Sequence, residues 1–173
     1  MSARRALLGG LMAAGGLLVI APVLARPAPI LLFNTTASAP IGFYRVDRRE
    51  PRVGDWVAVQ PPSALSRWMA ERGYLPLNVP LLKRLAATEG QTVCGRGGYI
   101  TIDGRPVAVA RQRDRRGRGL APFHGCRQLG AGEVFLLNVD APGSFDGRYF
   151  GPLPRATIIG RATPLRLTAG GHP

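Results

Sequence analysis

Beyond residue 26, glycine and proline cut the chain into apolar segments of four to nine residues, the length of pleated strands and too short for the helices of a bundle. With 23 Gly and 16 Pro among 173 residues, such a chain reads as mainly β. Expected strands lie at 41–46, 55–60, 81–88, 99–102, 107–110, 133–138 and 157–165. Asp103-Gly104 marks a two-residue hairpin, because both central positions of that turn need positive φ. One helix is expected, with Ser63 as its cap, Leu65, Trp68 and Met69 on one stripe, and Gly73 as its stop. Its stripe either packs on the sheet or meets a bilayer or an apolar substrate segment. Residues 111–118, RQRDRRGR, read as a solvated, mobile loop or as a contact for an anionic partner. Roughly 150 residues beyond the N-terminal segment is the size of one domain.

Residues 6–25 carry no charge over 20 positions and follow two arginines, Arg4 and Arg5. Twenty residues at about 1.5 Å each span a bilayer core of about 30 Å. Held by its arginines on the cytoplasmic side, this segment places the rest outside. Residues 1–25 are thus expected to be a membrane anchor, or a cleaved signal segment ending at Ala25, with 26–173 as the exported domain. The formal charge of +13, from 22 Arg and one Lys against 10 acids, suits an anionic surface, whether nucleic acid or lipid head groups.

Cys94 and Cys126 both fall in the exported part, where a disulfide closing a loop of about 30 residues is expected to stabilise by about 3–4 kcal/mol. Two free structural thiols are the other reading. With only His124 and His172 in the chain, neither a histidine triad nor a zinc site is expected.

That leaves the solitary lysine. Arg holds its proton at physiological pH, whereas a Lys amine buried among apolar groups becomes a neutral base. Lys83, in PLLKRLA, has the apolar company for this, although alone it equally suits a strand-end lysine reaching water. Ser38 in NTTASAPIGFY stands between small residues and just before a proline, on an open turn. A serine and a neutral amine suffice for acyl transfer. Thr36, with the Ser38 N–H, is placed to bind an oxyanion.

Three segments together resemble the signal peptidase I superfamily. Ser38, Pro40, Gly42 and Tyr44 match its S-x-P-x-G-x-Y run. Residues 81–93, LLKRLAATEGQTV, are similar to its lysine box, KR-x-x-x-x-x-G-D-x-V. Residues 143–162, GSFDGRYFGPLPRATIIGRA, are similar to S-x-D-S-R-Y-F-G-x-V-P. Gln91 stands where the lysine box has Asp and Gly147 where the third box has Ser, which leaves local turn geometry open. NTTASAPIGFY, RGYLP, HGCR and EVFLLN, with the short length, resemble the TraF-type proteases of conjugative transfer.

The resemblance implies a signal-peptidase-like β-barrel catalytic domain with one short helix, preceded by a transmembrane helix. It makes Ser38 the nucleophile, Lys83 the general base and Ser144 the residue orienting the amine. Asp146 and Arg148 brace the site as an ion pair, and Thr36 supplies an oxyanion hydroxyl. No cofactor, metal or nucleic acid is required. The implied partners are an exported precursor, such as a pilin subunit, and the inner membrane, with catalysis in the periplasm. The precursor is expected to lie extended beside the strand after Ser38. A housekeeping signal peptidase is the nearest alternative, and a membrane-anchored scaffold binding DNA or lipid is the alternative without catalysis.

Overall fold

In a computed structural model, residues 31–165 are described continuously and residues 10–12 and 15–16 are helical. The membrane segment expected at 1–25 falls almost wholly outside the described residues, among which no helix is long and apolar enough to cross a membrane.

The chain is mainly β, as its punctuation requires. A seven-stranded antiparallel sheet curls as a half-barrel in the order β1-β2-β11-β3-β4-β9-β10. Its strands are β1 (Leu31–Asn34), β2 (Gly42–Asp47), β3 (Trp56–Val59), β4 (Leu81–Ala87), β9 (Glu133–Leu136), β10 (Leu153–Pro154) and β11 (Ile158–Pro164). A four-stranded sheet, ordered β7-β6-β5-β8, holds β5 (Thr92–Arg96), β6 (Tyr99–Ile102), β7 (Arg105–Val109) and β8 (Gly125–Gln128). The hairpin expected at Asp103-Gly104 joins β6 to β7, with φ of 50° and 78° at its two residues.

Alternation along β4 decides what the sheet buries. Leu81 and Leu85 enter one core with Val57, Val59, Val134 and Leu136, while Leu82 points to the other face with Ala58, Tyr44 and Ala162. Period two therefore sends Lys83 to the Leu81 face and Arg84 to the opposite one. Arg84 lies over the Trp56 ring at 4.3 Å and donates to the Gly54 carbonyl.

Helix α1 (Ser63–Glu71) packs on this core through Met69, Leu65 and Trp68, so its apolar stripe is a packing surface. Pro62, not Ser63, occupies the N-cap position, and no side chain caps the helix. Gly73, at φ 65°, receives the turn that ends it. A second helix, α2 (Gly147–Phe150), was not expected; its single turn starts because the Asp146 side chain accepts the Arg148 N–H.

Cys94 and Cys126 face each other across β5 and β8 and are bonded. Gln91, the first departure from the motif, ties two turns together. Its side chain accepts the Thr88 N–H and donates to Asp103 at 2.9 Å.

Candidate active site

Three separate stretches of chain meet at one cleft. The first is the turn after β1. Asn34, buried at its base, donates through Nδ2 to the carbonyls of Thr36, Ala39 and Pro40. Its Oδ1 accepts both the N–H and the hydroxyl of Thr36. With that hydrogen used, the 2.9 Å contact between Thr36 Oγ1 and Ser38 Oγ is one in which Ser38 donates. Tyr44 closes the turn by donating to the Pro40 carbonyl at 2.8 Å.

The second stretch is β4. Lys83 is 3% exposed, and its Nζ donates to Ser144 Oγ at 2.9 Å. Burial pulls its pKa from 10.5 down to about 8, against the opposing pull of the Asp146 carboxylate and with a smaller downward push from Arg148. An ammonium that has lost its water, with one neutral hydroxyl as its hydrogen-bonding partner, gives up its proton readily.

The third stretch runs from 138 to 148. Asp146 and Arg148 are 0% and 1% exposed and form a two-pronged ion pair, Nε to Oδ1 and Nη2 to Oδ2, each at 2.8 Å. Arg148 also donates to the carbonyls of Asn138 and Ala141, and Asp146 accepts the Asn138 N–H. Phe145, next to Ser144, is clamped in an aromatic stack with Trp68, Tyr74 and Tyr149 at centroid distances of 5.0–5.3 Å. These contacts hold Ser144 where it meets Lys83.

Asn138 joins the three stretches, and neither it nor Asn34 was singled out from the sequence. Its Nδ2 donates to the Ser38 carbonyl at 2.6 Å and to the Leu82 carbonyl at 3.3 Å, and its Oδ1 accepts the Arg84 N–H. An asparagine at the end of an apolar strand run, EVFLLN, was the available signal, because a polar residue there must be satisfied by distant partners.

Ser38, Lys83 and Ser144 thus line one cavity, together with Leu32, Phe33, Val79 and Leu81. No hydrogen bond links Ser38 Oγ to Lys83 Nζ. The disulfide lies in the four-stranded sheet, and neither of its cysteines lines the cavities at Ser38. His124 is exposed and lines neither. Among the described residues no cluster of three potential metal ligands occurs. The strand after Ser38, β2, is paired on both sides, by β1 and by β11, so an extended chain cannot add to it. Of the two edge strands of that sheet among the described residues, β1 and β10, it is β1 that lies beside the cavity.

Gly147, the second departure from the motif, has a packing cause. A Cβ there would stand 2.7 Å from the Leu136 carbonyl and 2.8 Å from the Phe135 ring. Gly147→Ser is therefore expected to cost about 2 kcal/mol in urea unfolding, with part recovered when Phe135→Leu makes room.

The family model described as signal peptidase, peptidase S26, matches residues 4–165. The chain is 38% identical over 145 residues to a conjugal transfer protein TraF of Agrobacterium fabrum, covering 76% of this chain and 80% of that protein. It is 31% identical over 142 residues to a plasmid transfer protein TraF of Escherichia coli, with 76% and 80% covered. A signal peptidase I of Leptolyngbya laminosa is 29% identical over 112 residues, covering 65% of this chain and 51% of that protein. A match over nearly its whole length, which takes in the segments that build the cleft, shows that the chain belongs to the peptidase S26 signal peptidase family.

Proposed function

We propose that this chain is a serine endopeptidase of conjugative transfer, with Ser38 as nucleophile and Lys83 as general base, which matures an exported precursor such as a pilin subunit. The observation that carries it is the dry lysine amine, oriented by Ser144 on the wall of a cavity that Ser38 shares. The relatives named for conjugal and plasmid transfer supply the biological setting. Residues 1–25 then anchor or address the chain, and the catalytic domain works on the periplasmic face.

Ser38 Oγ attacks the carbonyl carbon and its proton passes to neutral Lys83. For this the hydroxyl must swing from Thr36 toward the amine, a realignment of the kind that substrate binding imposes on loosely aligned groups. The resulting ammonium protonates the leaving amine as the peptide bond breaks, and the acyl-enzyme remains. Lys83, neutral again, takes a proton from the water or product amine that releases the acyl group. Among the described residues no acceptor takes the Ser38 backbone N–H, which leaves it for the oxyanion. Thr36 joins it once its hydroxyl turns from Asn34. The acyl segment lies along the edge of β1, placing small side chains in the apolar cavity.

Mass spectrometry of a pilin precursor co-expressed with the wild type or with Ser38→Ala tests the assignment. Shortening of the precursor by the wild type alone supports it, and cleavage by both refutes it. A second measurement is the pH profile of initial rates. Because the neutral amine is the working form and the pKa of Lys83 is about 8, kcat/KM should rise about tenfold per unit from pH 6 to 7.5 and level above about 8. A flat profile over that range contradicts an amine base.

A further inference from the structure

Ser38 divides the cleft into two unlike halves. One is the apolar cavity beside β1. The other is walled by the 111–118 loop and includes Arg111, Arg113, Arg115 and Arg116 together with Tyr74 and Tyr149. This loop is built in, contrary to its reading as a mobile segment. Asp114 accepts the Tyr74 hydroxyl at 2.5 Å, Arg118 Nε at 2.7 Å, and the N–H groups of Arg116 and Arg118. Arg118 donates in turn to the Arg72 carbonyl at the end of α1, and the Arg111 N–H donates to the Tyr149 hydroxyl in α2. The same contacts hold the Asp114 carboxyl far below the usual carboxylate range, the Tyr74 hydrogen bond first among them, so the clamp stays charged.

The clamp consumes one arginine, Arg118. Arg111, Arg115 and Arg116 are exposed and, among the described residues, have no ion-pair partner. Arg113 gives one N–H to the Gly117 carbonyl. Guanidinium nitrogens of Arg115 and Arg111 lie 3.7–3.9 Å from where a Cβ at Gly143 would stand, directly before Ser144. Asp140 shares a smaller cavity with Arg111 and Arg115 but pairs with neither. Several guanidinium groups carried by an anchored loop on the wall of a concave site attract carboxylates more strongly than the same groups scattered over a surface.

We infer that this loop selects the segment leaving after cleavage, favouring precursors with a carboxylate, from Asp, Glu or a free C-terminus, within about three residues after the scissile bond. The inference rests on Ser38 being the nucleophile, because the acyl segment then takes the apolar half along β1 and the leaving segment takes the arginine half. Three residues of extended chain cover about 10 Å, within reach of guanidinium groups beside Ser38.

The test uses the full chain and four fluorescent peptides that share one acyl segment. Their leaving segments carry Glu or Gln, each with a free or amidated C-terminus. With Ser38→Ala, binding followed by anisotropy is expected to be about tenfold tighter for Glu than for Gln in low salt, the amidated pair isolating the side chain from the terminus. The ratio should shrink in 0.5 M salt and approach one in an Arg111→Gln, Arg115→Gln, Arg116→Gln variant. Equal binding of all four peptides overturns the inference, as does a preference that survives the triple substitution. The same variant losing affinity for phosphatidylglycerol vesicles while its peptide ratio persists also overturns it, assigning the arginines to lipid. Wild-type kcat/KM should follow the same ratio. Selective binding with no cleavage by the wild type refutes the nucleophile assignment instead and leaves a carboxylate-binding loop, so the two failures are distinct.

Discussion

Lys83→Met is expected to reduce peptide cleavage by a factor of at least about a thousand and to leave the fold no less stable than before. The first half follows from the proposed chemistry: methionine fills the lysine's volume but accepts no proton. The second half follows from the burial. The folded state binds the Lys83 proton less tightly than the unfolded chain, about 8 against 10.5. Folding therefore carries a cost that is fully present below pH 8 and disappears as pH rises from about 8 to 10.5. That span corresponds to about 3 kcal/mol at most, and substitution by an apolar side chain recovers it. Against this, Ser144 loses its partner while buried, at about 1–2 kcal/mol. The single variant is thus expected to gain about 1 kcal/mol at pH 7, and Lys83→Met with Ser144→Ala more. Urea unfolding at pH 7 and pH 10 measures both, and the advantage of the variant should narrow at the higher pH. A clear loss of stability at pH 7 would show that the amine is worth more to the fold than to the reaction.

Asp146→Ala should do the reverse, costing about 3–5 kcal/mol and with it the folded population of a marginally stable domain. Its carboxylate meets a guanidinium with neither side exposed, and it also accepts the N–H groups of Asn138 and Arg148. Truncation leaves Arg148 charged and dry and leaves α2 without its cap. Arg148→Met orphans Asp146 in the same way, while the double variant Asp146→Ala, Arg148→Met should recover more than half of the loss because no charge is then stranded. A pair of singles and a double measured by urea unfolding decide the matter. Additive losses would mean that the two side chains act on the fold separately.

What the sequence disclosed depended on how local the cause was. The hairpin at Asp103-Gly104, the strand at Leu81–Ala87 and the end of α1 at Gly73 are set by neighbouring residues, and each was read correctly. Strands β5 and β8, TVCGR and GCRQ, were missed because they are held by pairing and a disulfide rather than by an apolar run. In β5, Gly95 admits the Phe123 backbone so closely that no side chain fits, a constraint invisible in a window of five residues. Ser63 was misplaced as a cap because Pro62 serves equally as the residue before the first turn. At the cleft, Ser38 and Lys83 are legible from residue chemistry and again by resemblance, Ser144, Asp146 and Arg148 by resemblance alone, and the structure brings all five to one place. The two asparagines were not, since each acts through backbone groups whose proximity only the fold creates. The arginine loop reads from sequence as solvated and mobile, or as a contact for an anionic partner, because its one anchoring acid finds Tyr74 some 40 positions earlier.

Asn138 bonds the Ser38 carbonyl across 100 positions of sequence. Until that asparagine and the segment behind it have left the ribosome, Ser38 and Lys83 share a polypeptide but no common geometry. On the proposed dyad, reactivity therefore arrives late in biogenesis, at one step, and a chain stalled or clipped short of residue 148 is expected to emerge harmless to its neighbours.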